Sequence, residues 1–211
     1  LLSRRKTSNH RYLRQDVSKR TKNYFIFTFI RNPFDRFVSA YFYFKTYGRR
    51  FPGDIKMGKV VNIYESFNDF VLNFNNISRD EFVEPHFDPQ ITWMDDRIDF
   101  IGRFENFQED FNVVCNKAGI PQRQLPHKNK VKHKHYPEYY SDETREIVAK
   151  KYAKDIKILG YKFGKKIIKN TSRAIRSFIT MYGWKGIVSL LFFLTSMPIG
   201  LLFPGICNAQ I

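Results

Sequence analysis

At 211 residues the chain has room for one ordinary domain and an appendage, and its 22 Phe and 12 Tyr supply ample apolar area for a core. The net charge of +16 sits mostly in the flanks: residues 1–23 carry +7 and residues 164–211 carry +6, leaving +3 on the 140 residues between. A charge held outside the folded part argues against a nucleic-acid-binding domain, and two cysteines without a CxxC pair or Cys/His cluster argue against a zinc site. His127, His133 and His135 stand among lysines that would repel a cation, so no metal is expected.

Residues 1–23 are basic, poor in apolar residues, and read as a lead-in. Tyr24 to Ile30 is an unbroken apolar run of aromatic and β-branched residues, the pattern of a strand buried on both faces. It stops at Arg31-Asn32-Pro33, where Asn32 suits a helix N-cap and Pro33 the first helical position. Phe34, Phe37, Val38, Tyr41 and Phe42 then fall at i, i+3, i+4, i+7 and i+8, one stripe able to pack on a sheet. A strand, a tight turn and a helix start, with Arg31 at the switch, predict an anion site. Ser39 lies off the centre of the stripe, a turn and a half into the helix.

Gly48, Pro52, Gly53 and Gly58 mark 48–66 as a surface loop. Ser66 predicts the cap of a helix carrying Phe67, Phe70, Val71 and Phe74. Ile98 to Ile101 reads as a short buried strand ending at Gly102. Phe107, Phe111, Val114, Cys115 and Ala118 share one helical face, with Gly119 as its stop and Cys115 as a small core residue. Residues 121–140 form a Pro- and Lys-rich loop. Ser141 caps a last helix, with Ile147, Val148, Ala149, Tyr152 and Ile156 on its buried side and Gly160 at its end. The alternation of strands and helices predicts an α/β fold with a parallel sheet.

The basic, amphipathic segment 164–185 carries Tyr182 and Trp184 at its end, as a membrane interface favours. From Gly186 to Ile211 no residue is charged, and Ile187 to Cys207 is long enough for about 30 Å of hydrocarbon at helical rise. Pro198, Pro204 and Gly205 weaken a straight helix there, and a buried C-terminal hairpin is the competing reading. The expectation is a hydrophobic, helical, membrane-associated tail, with the domain on the cytosolic side by the bias of basic residues.

The string Arg31-Asn32-Pro33-Phe34-Asp35-Arg36-Phe37-Val38-Ser39-Ala40-Tyr41 resembles the 3'-phosphate-binding motif of sulfotransferases that use 3'-phosphoadenosine 5'-phosphosulfate. In that family a strand ends in an Arg and a Ser follows eight positions later in the next helix. The wording is most like that of carbohydrate sulfotransferases of the chondroitin 4-O-sulfotransferase type and their bacterial, family 2 relatives. The likeness extends over roughly 24–163, through Glu84-Pro85-His86, Gly102-Arg103-Phe104-Glu105-Asn106, Leu125-Pro126-His127-Lys128-Asn129 and a closing Leu159-Gly160-Tyr161.

The resemblance implies a P-loop-like parallel sheet flanked by helices, and sulfuryl transfer from 3'-phosphoadenosine 5'-phosphosulfate to a hydroxyl of a carbohydrate or glycolipid. It also implies a Golgi membrane as the alternative location if the source is eukaryotic. In the family a phosphosulfate-binding loop precedes the motif. Arg5-Lys6-Thr7-Ser8 has a Lys followed by hydroxyls but lacks the preceding strand and the small residue after Lys. The expectation is therefore a fold whose N-terminal part is missing from these residues. The rival is a catalytically incomplete remnant that binds a nucleotide or a partner at a membrane.

Sulfuryl transfer needs a held donor, a base for the acceptor hydroxyl, and positive charge where the leaving phosphate develops negative charge. Arg31 supplies a planar, permanently charged fork for phosphate oxygens, and Ser39 a short neutral donor. Arg36 has two readings, a further phosphate ligand or one half of a salt bridge. His86, between Pro85 and Pro89-Gln90, is the expected base, because a neutral imidazole accepts a proton near pH 7; a loop histidine bonded to backbone is the alternative. The loop 127–136 packs four lysines into ten residues. A basic loop here closes over the nucleotide in relatives, which singles out Lys132, whereas a solvated charge run is the other reading. Acceptor specificity is expected in variable loops such as 48–66.

Overall fold

The computed structural model describes residues 24–48, 52–77, 85–94, 98–126, 131 and 133–165. The lead-in 1–23, Lys132, and the segments 166–185 and 186–211 lie outside the described residues. Among the described residues no helix is long and apolar enough to cross a membrane.

Strands β1 (Phe27–Ile30) and β2 (Phe100–Arg103) pair in parallel, with Phe27 opposite Phe100 and Ile30 opposite Arg103. The apolar run before the turn is buried on both faces, as its pattern predicts. Ile26 and Ile30 pack with Ile91, Met94, Ile98, Ile101, Leu159 and Tyr161 on one side. Phe25, Phe27 and Phe29 lie on the other with Phe111, Val114 and Cys115. This is the period-two alternation of a strand between two layers. A Cβ added at Gly102 would run into the Phe29 ring, so the glycine lets that ring lie against its partner strand. The second strand starts two residues later than expected, at Phe100, and ends one residue past Gly102. Arg103, past the expected end at Gly102, is 1% exposed, with its backbone N–H on Asp110 and its Nη2 on the Leu159 carbonyl.

Helix α1 (Pro33–Tyr47) begins where Asn32 Oδ1 accepts from the Phe34 N–H at 3.1 Å. Its inner face buries Phe34, Phe37, Val38, Tyr41 and Phe44, while Phe42 is half-buried on the outer side. The expected loop 48–66 is mostly helix α2 (Pro52–Ile63), which buries Met57, Val60 and Val61 against α1. Its glycine serves a close crossing: a Cβ on Gly58 would stand 2.8 Å from Gly48 Cα. Ser66 Oγ accepts from the Asp69 N–H at 3.0 Å and opens α3 (Phe67–Asn73), whose Phe67, Phe70 and Val71 join the same core.

Helix α4 (Phe107–Lys117) follows β2, and Gly119 behind it has φ 65°. The expected last helix is two, α5 (Asp142–Lys151) and α6 (Ala153–Leu159), divided at Tyr152 with φ −104° and ψ 23°. The buried Tyr152 hydroxyl donates to the Phe87 carbonyl at 2.8 Å, and the break turns Asp155 inward. Gly160, at φ 72°, ends α6 in the left-handed conformation that glycine adopts without cost.

Candidate active site

Register sets the site. Because Ile30 stands opposite Arg103, Arg31-Asn32 and Phe104-Glu105 leave the carboxyl edge of the two strands side by side, the edge at which parallel α/β sheets bind ligands. Arg31 Cζ lies 4.3 Å from the centre of the Phe104 ring. Arg31 Nε donates to Asp35 Oδ2 at 2.7 Å, and the arginine side chain is 13% exposed. Among the described residues no hydrogen bond engages its two terminal nitrogens. A guanidinium fixed through Nε and an aromatic face presents that pair as a fork for two oxygens of one anion.

Asp35 and Ser39 follow Arg31 at spacings of four, so the two helical residues lie on one outer row of α1 that begins at the arginine. Ser39 is half-buried and stands about 6 Å beyond Asp35 along the axis. At the helix start the Phe34 N–H is already taken by the Asn32 cap. Asn32 Nδ2 donates to the Tyr136 hydroxyl and to the Lys162 carbonyl, both at 3.2 Å, and the same hydroxyl accepts from the Gly164 N–H at 2.7 Å. Burial, opposed by these bonds, pushes the Tyr136 phenol up. The chain beyond Lys132 packs on α1: the His133 ring stacks on Phe42 at 5.7 Å, and the Tyr140 hydroxyl donates to the Phe34 carbonyl at 2.9 Å.

Arg36 is buried, and its Nη1 donates to the Asp88 carbonyl at 2.7 Å. Burial lowers its pKa, and the nearby Tyr152, Asp155 and Asp88 oppose the shift. Asp155, with no exposed surface, accepts from the Gln90 and Ile91 N–H groups at 2.7 and 3.0 Å. Burial raises its carboxyl above the ordinary value, against the pull of those two bonds and of Arg36. Gln90 in turn bonds the main chain of Arg31.

His86 packs at the other end of α1, its ring 5.2 Å from Phe44 and 6.1 Å from Tyr43. Pro33 to Tyr43 is about 15 Å of helix axis, so His86 stands at the far end of α1 from Arg31, with Ser39 between the two, and is joined to Arg31 through the segment that ends in Gln90. Phe104, Glu105 and Gln90 are site residues to which the sequence reading assigned no role. Glu105 Oε1 accepts from the Asn32 N–H at 2.7 Å, and its Oε2 from the Tyr161 hydroxyl at 3.2 Å. The available signal was that two separate strings each follow a strand, which places them together once the strands pair. Among the described residues no group of three or more His, Cys, Asp or Glu side chains stands ready to hold a metal.

A family model described as the sulfotransferase family matches residues 3–162. An uncharacterized protein of Archaeoglobus fulgidus is 32% identical over 114 residues, covering 52% of this chain and 81% of that protein. No solved structure matches. With a match over most of its length, and with the strand–turn–helix and the Gly-Arg-Phe-Glu string converging on one edge, the chain belongs to the sulfotransferase family and is an enzyme of the sulfotransferase type.

Proposed function

We propose that the enzyme moves a sulfuryl group from 3'-phosphoadenosine 5'-phosphosulfate to a hydroxyl of a carbohydrate or glycolipid. The observation that carries this reading is Arg31, aimed by Asp35 and Phe104 with its terminal nitrogens unengaged among the described residues. A fork held that way suits the nucleotide 3'-phosphate, and Ser39 on the same row supplies a further donor. The segment containing Lys132 closes over the nucleotide, in keeping with the seat of His133 on Phe42. His86 takes the proton of the acceptor hydroxyl as its oxygen bonds to sulfur and the adenosine 3',5'-bisphosphate leaves. Residues 186–211 hold the chain at a membrane, with the domain on the cytosolic side; recovery of the full chain without detergent removes that part.

Titrating the protein and its Arg31→Ala variant with adenosine 3',5'-bisphosphate tests the reading. Loss of a bidentate charged contact is worth about tenfold to a hundredfold in Kd. Equal affinities for the two proteins sink it. Turnover by His86→Ala at the parent rate excludes His86 as the base.

A further inference from the structure

The Ile26 carbonyl of the chain entering β1 accepts from the Asp99 and Phe100 N–H groups at 2.7 and 3.2 Å. Main-chain polar groups alternate between the two edges of a strand, so Ile26, Thr28 and Ile30 address β2 and Arg31 addresses the opposite edge. Among the described residues no strand lies on that edge. The Gln90 carboxamide takes its place: Oε1 accepts from the Arg31 N–H and Nε2 donates to the Arg31 carbonyl, each at 2.8 Å. A primary amide offers the same donor and acceptor as a peptide group, so one side chain pairs with Arg31 as a neighbouring strand would.

Gln90 is itself fixed. It is 4% exposed, its N–H is bonded to Asp155, and the Asp88 carbonyl just before it is held by Arg36. On the other side Glu105 holds the Asn32 N–H. The main chain on both sides of the Arg31 Cα is thus bonded to side chains from distant parts of the sequence, and Asp35 holds Nε.

We infer that Gln90, anchored by Asp155, is a positioning residue that aims Arg31: its carboxamide fixes the main chain at the end of β1 so that the guanidinium enters the anion site in one orientation. This rests on the reading of Arg31 as a ligand of the nucleotide phosphate. Without the brace Arg31 keeps its charge and its bond to Asp35, but the bound nucleotide must order the strand end.

The test is calorimetric titration of adenosine 3',5'-bisphosphate into the full chain, its Arg31→Ala variant, and two variants at position 90. Gln90→Met keeps length and removes both bonds; its Kd rises on the order of tenfold with the circular dichroism spectrum of the parent. Gln90→Glu supplies a readout that general loosening would not. A neutral carboxyl reproduces the donor and acceptor of the amide, whereas a carboxylate turns an oxygen on the Arg31 carbonyl. The ratio of its Kd to that of the parent therefore falls toward one as pH is lowered from about 8 to about 5. Charges near the position include Asp88, Asp155, Arg36, Arg31, Asp35 and Glu105, and measuring the parent at each pH removes their titration from the ratio. Gln90→Met binding within twofold of the parent, or a Gln90→Glu ratio independent of pH, overturns the inference while leaving the nucleotide reading intact. Should Gln90→Met not fold, the Gln90→Glu ratio decides. A parent that fails to bind, or binds no better than Arg31→Ala, overturns the nucleotide reading and the inference with it.

Discussion

Arg31 differs from an ordinary surface arginine in how many partners fix it before any ligand arrives. Asp35 takes Nε, the Phe104 ring lies under Cζ, and Gln90 holds the main chain. A lysine retains the positive charge but has neither the planar fork nor a counterpart of Nε. Arg31→Lys is therefore expected to bind adenosine 3',5'-bisphosphate at least about tenfold more weakly than the parent. Parent-like affinity in a titration of that variant would mean that charge alone is used. The strand, the Asn32 cap and the helix that carries Ser39 were legible, because strand pattern, cap and helix period are local signals. The carboxamide that holds Arg31 comes from 59 positions away, and no local rule pairs a glutamine with a backbone at that distance.

Helix α2 shows how an element was misread. Glycine and proline near one another are turn signals, and 48–66 carries four of them. Here Pro52 opens a helix, and Gly58 sits within it because Gly48 Cα would lie 2.8 Å from any Cβ added there. Two effects oppose each other in Gly58→Ala. Alanine favours a helix over glycine by up to about 1 kcal/mol. Forcing backbone apart at a packed crossing costs about 1–3 kcal/mol, and the atoms in the way are main chain that cannot swing aside. The variant should therefore melt below the parent in a thermal scan, and a higher midpoint would remove the close crossing.

The break at Tyr152 is the converse case, one predicted helix that is two, because Asp155 has to face Gln90 and Ile91. Its carboxyl is pushed above the ordinary value of 3.8 by burial. A carboxyl with a folded value above its unfolded one contributes stability that is present in full below pH 3.8 and is lost as pH rises through the folded value. Asparagine does not titrate. The unfolding free energy of the parent minus that of Asp155→Asn should thus fall with pH from about 4 upward, read from urea midpoints at a series of pH values. A difference that grows with pH would show that the two backbone bonds outweigh burial and favour the carboxylate.

Across the whole molecule, the site is a meeting of distant strings, and what brings them together is an aromatic core. The Phe37 ring, 1% exposed, lies 5.0 to 6.2 Å from those of Phe67, Phe70, Phe74, Phe87 and Tyr152. It thereby joins α1 to α3, to the segment leading to Gln90, and to the α5–α6 break. The apolar stripe announced that α1 packs inward, but many aromatic residues at helical spacing leave their partners unspecified, since rings of similar size satisfy many pairings.

Removing a buried phenylalanine costs about 3–5 kcal/mol, a large part of the 5–15 kcal/mol that holds a typical domain. Phe37→Ala should therefore melt far below the parent. Its loss differs in kind from that of Arg31→Ala, because the nucleotide contacts survive in each folded molecule. Ligand at one hundred times Kd stabilises a folded state by about 2.7 kcal/mol. Adenosine 3',5'-bisphosphate should raise the melting midpoints of the parent and Phe37→Ala and shift that of Arg31→Ala far less, since a tenfold to hundredfold weaker Kd leaves about 0.4–1.4 kcal/mol at the same concentration. A Phe37→Ala midpoint that ignores saturating ligand would mean that the core sets the geometry of the site as well as its stability.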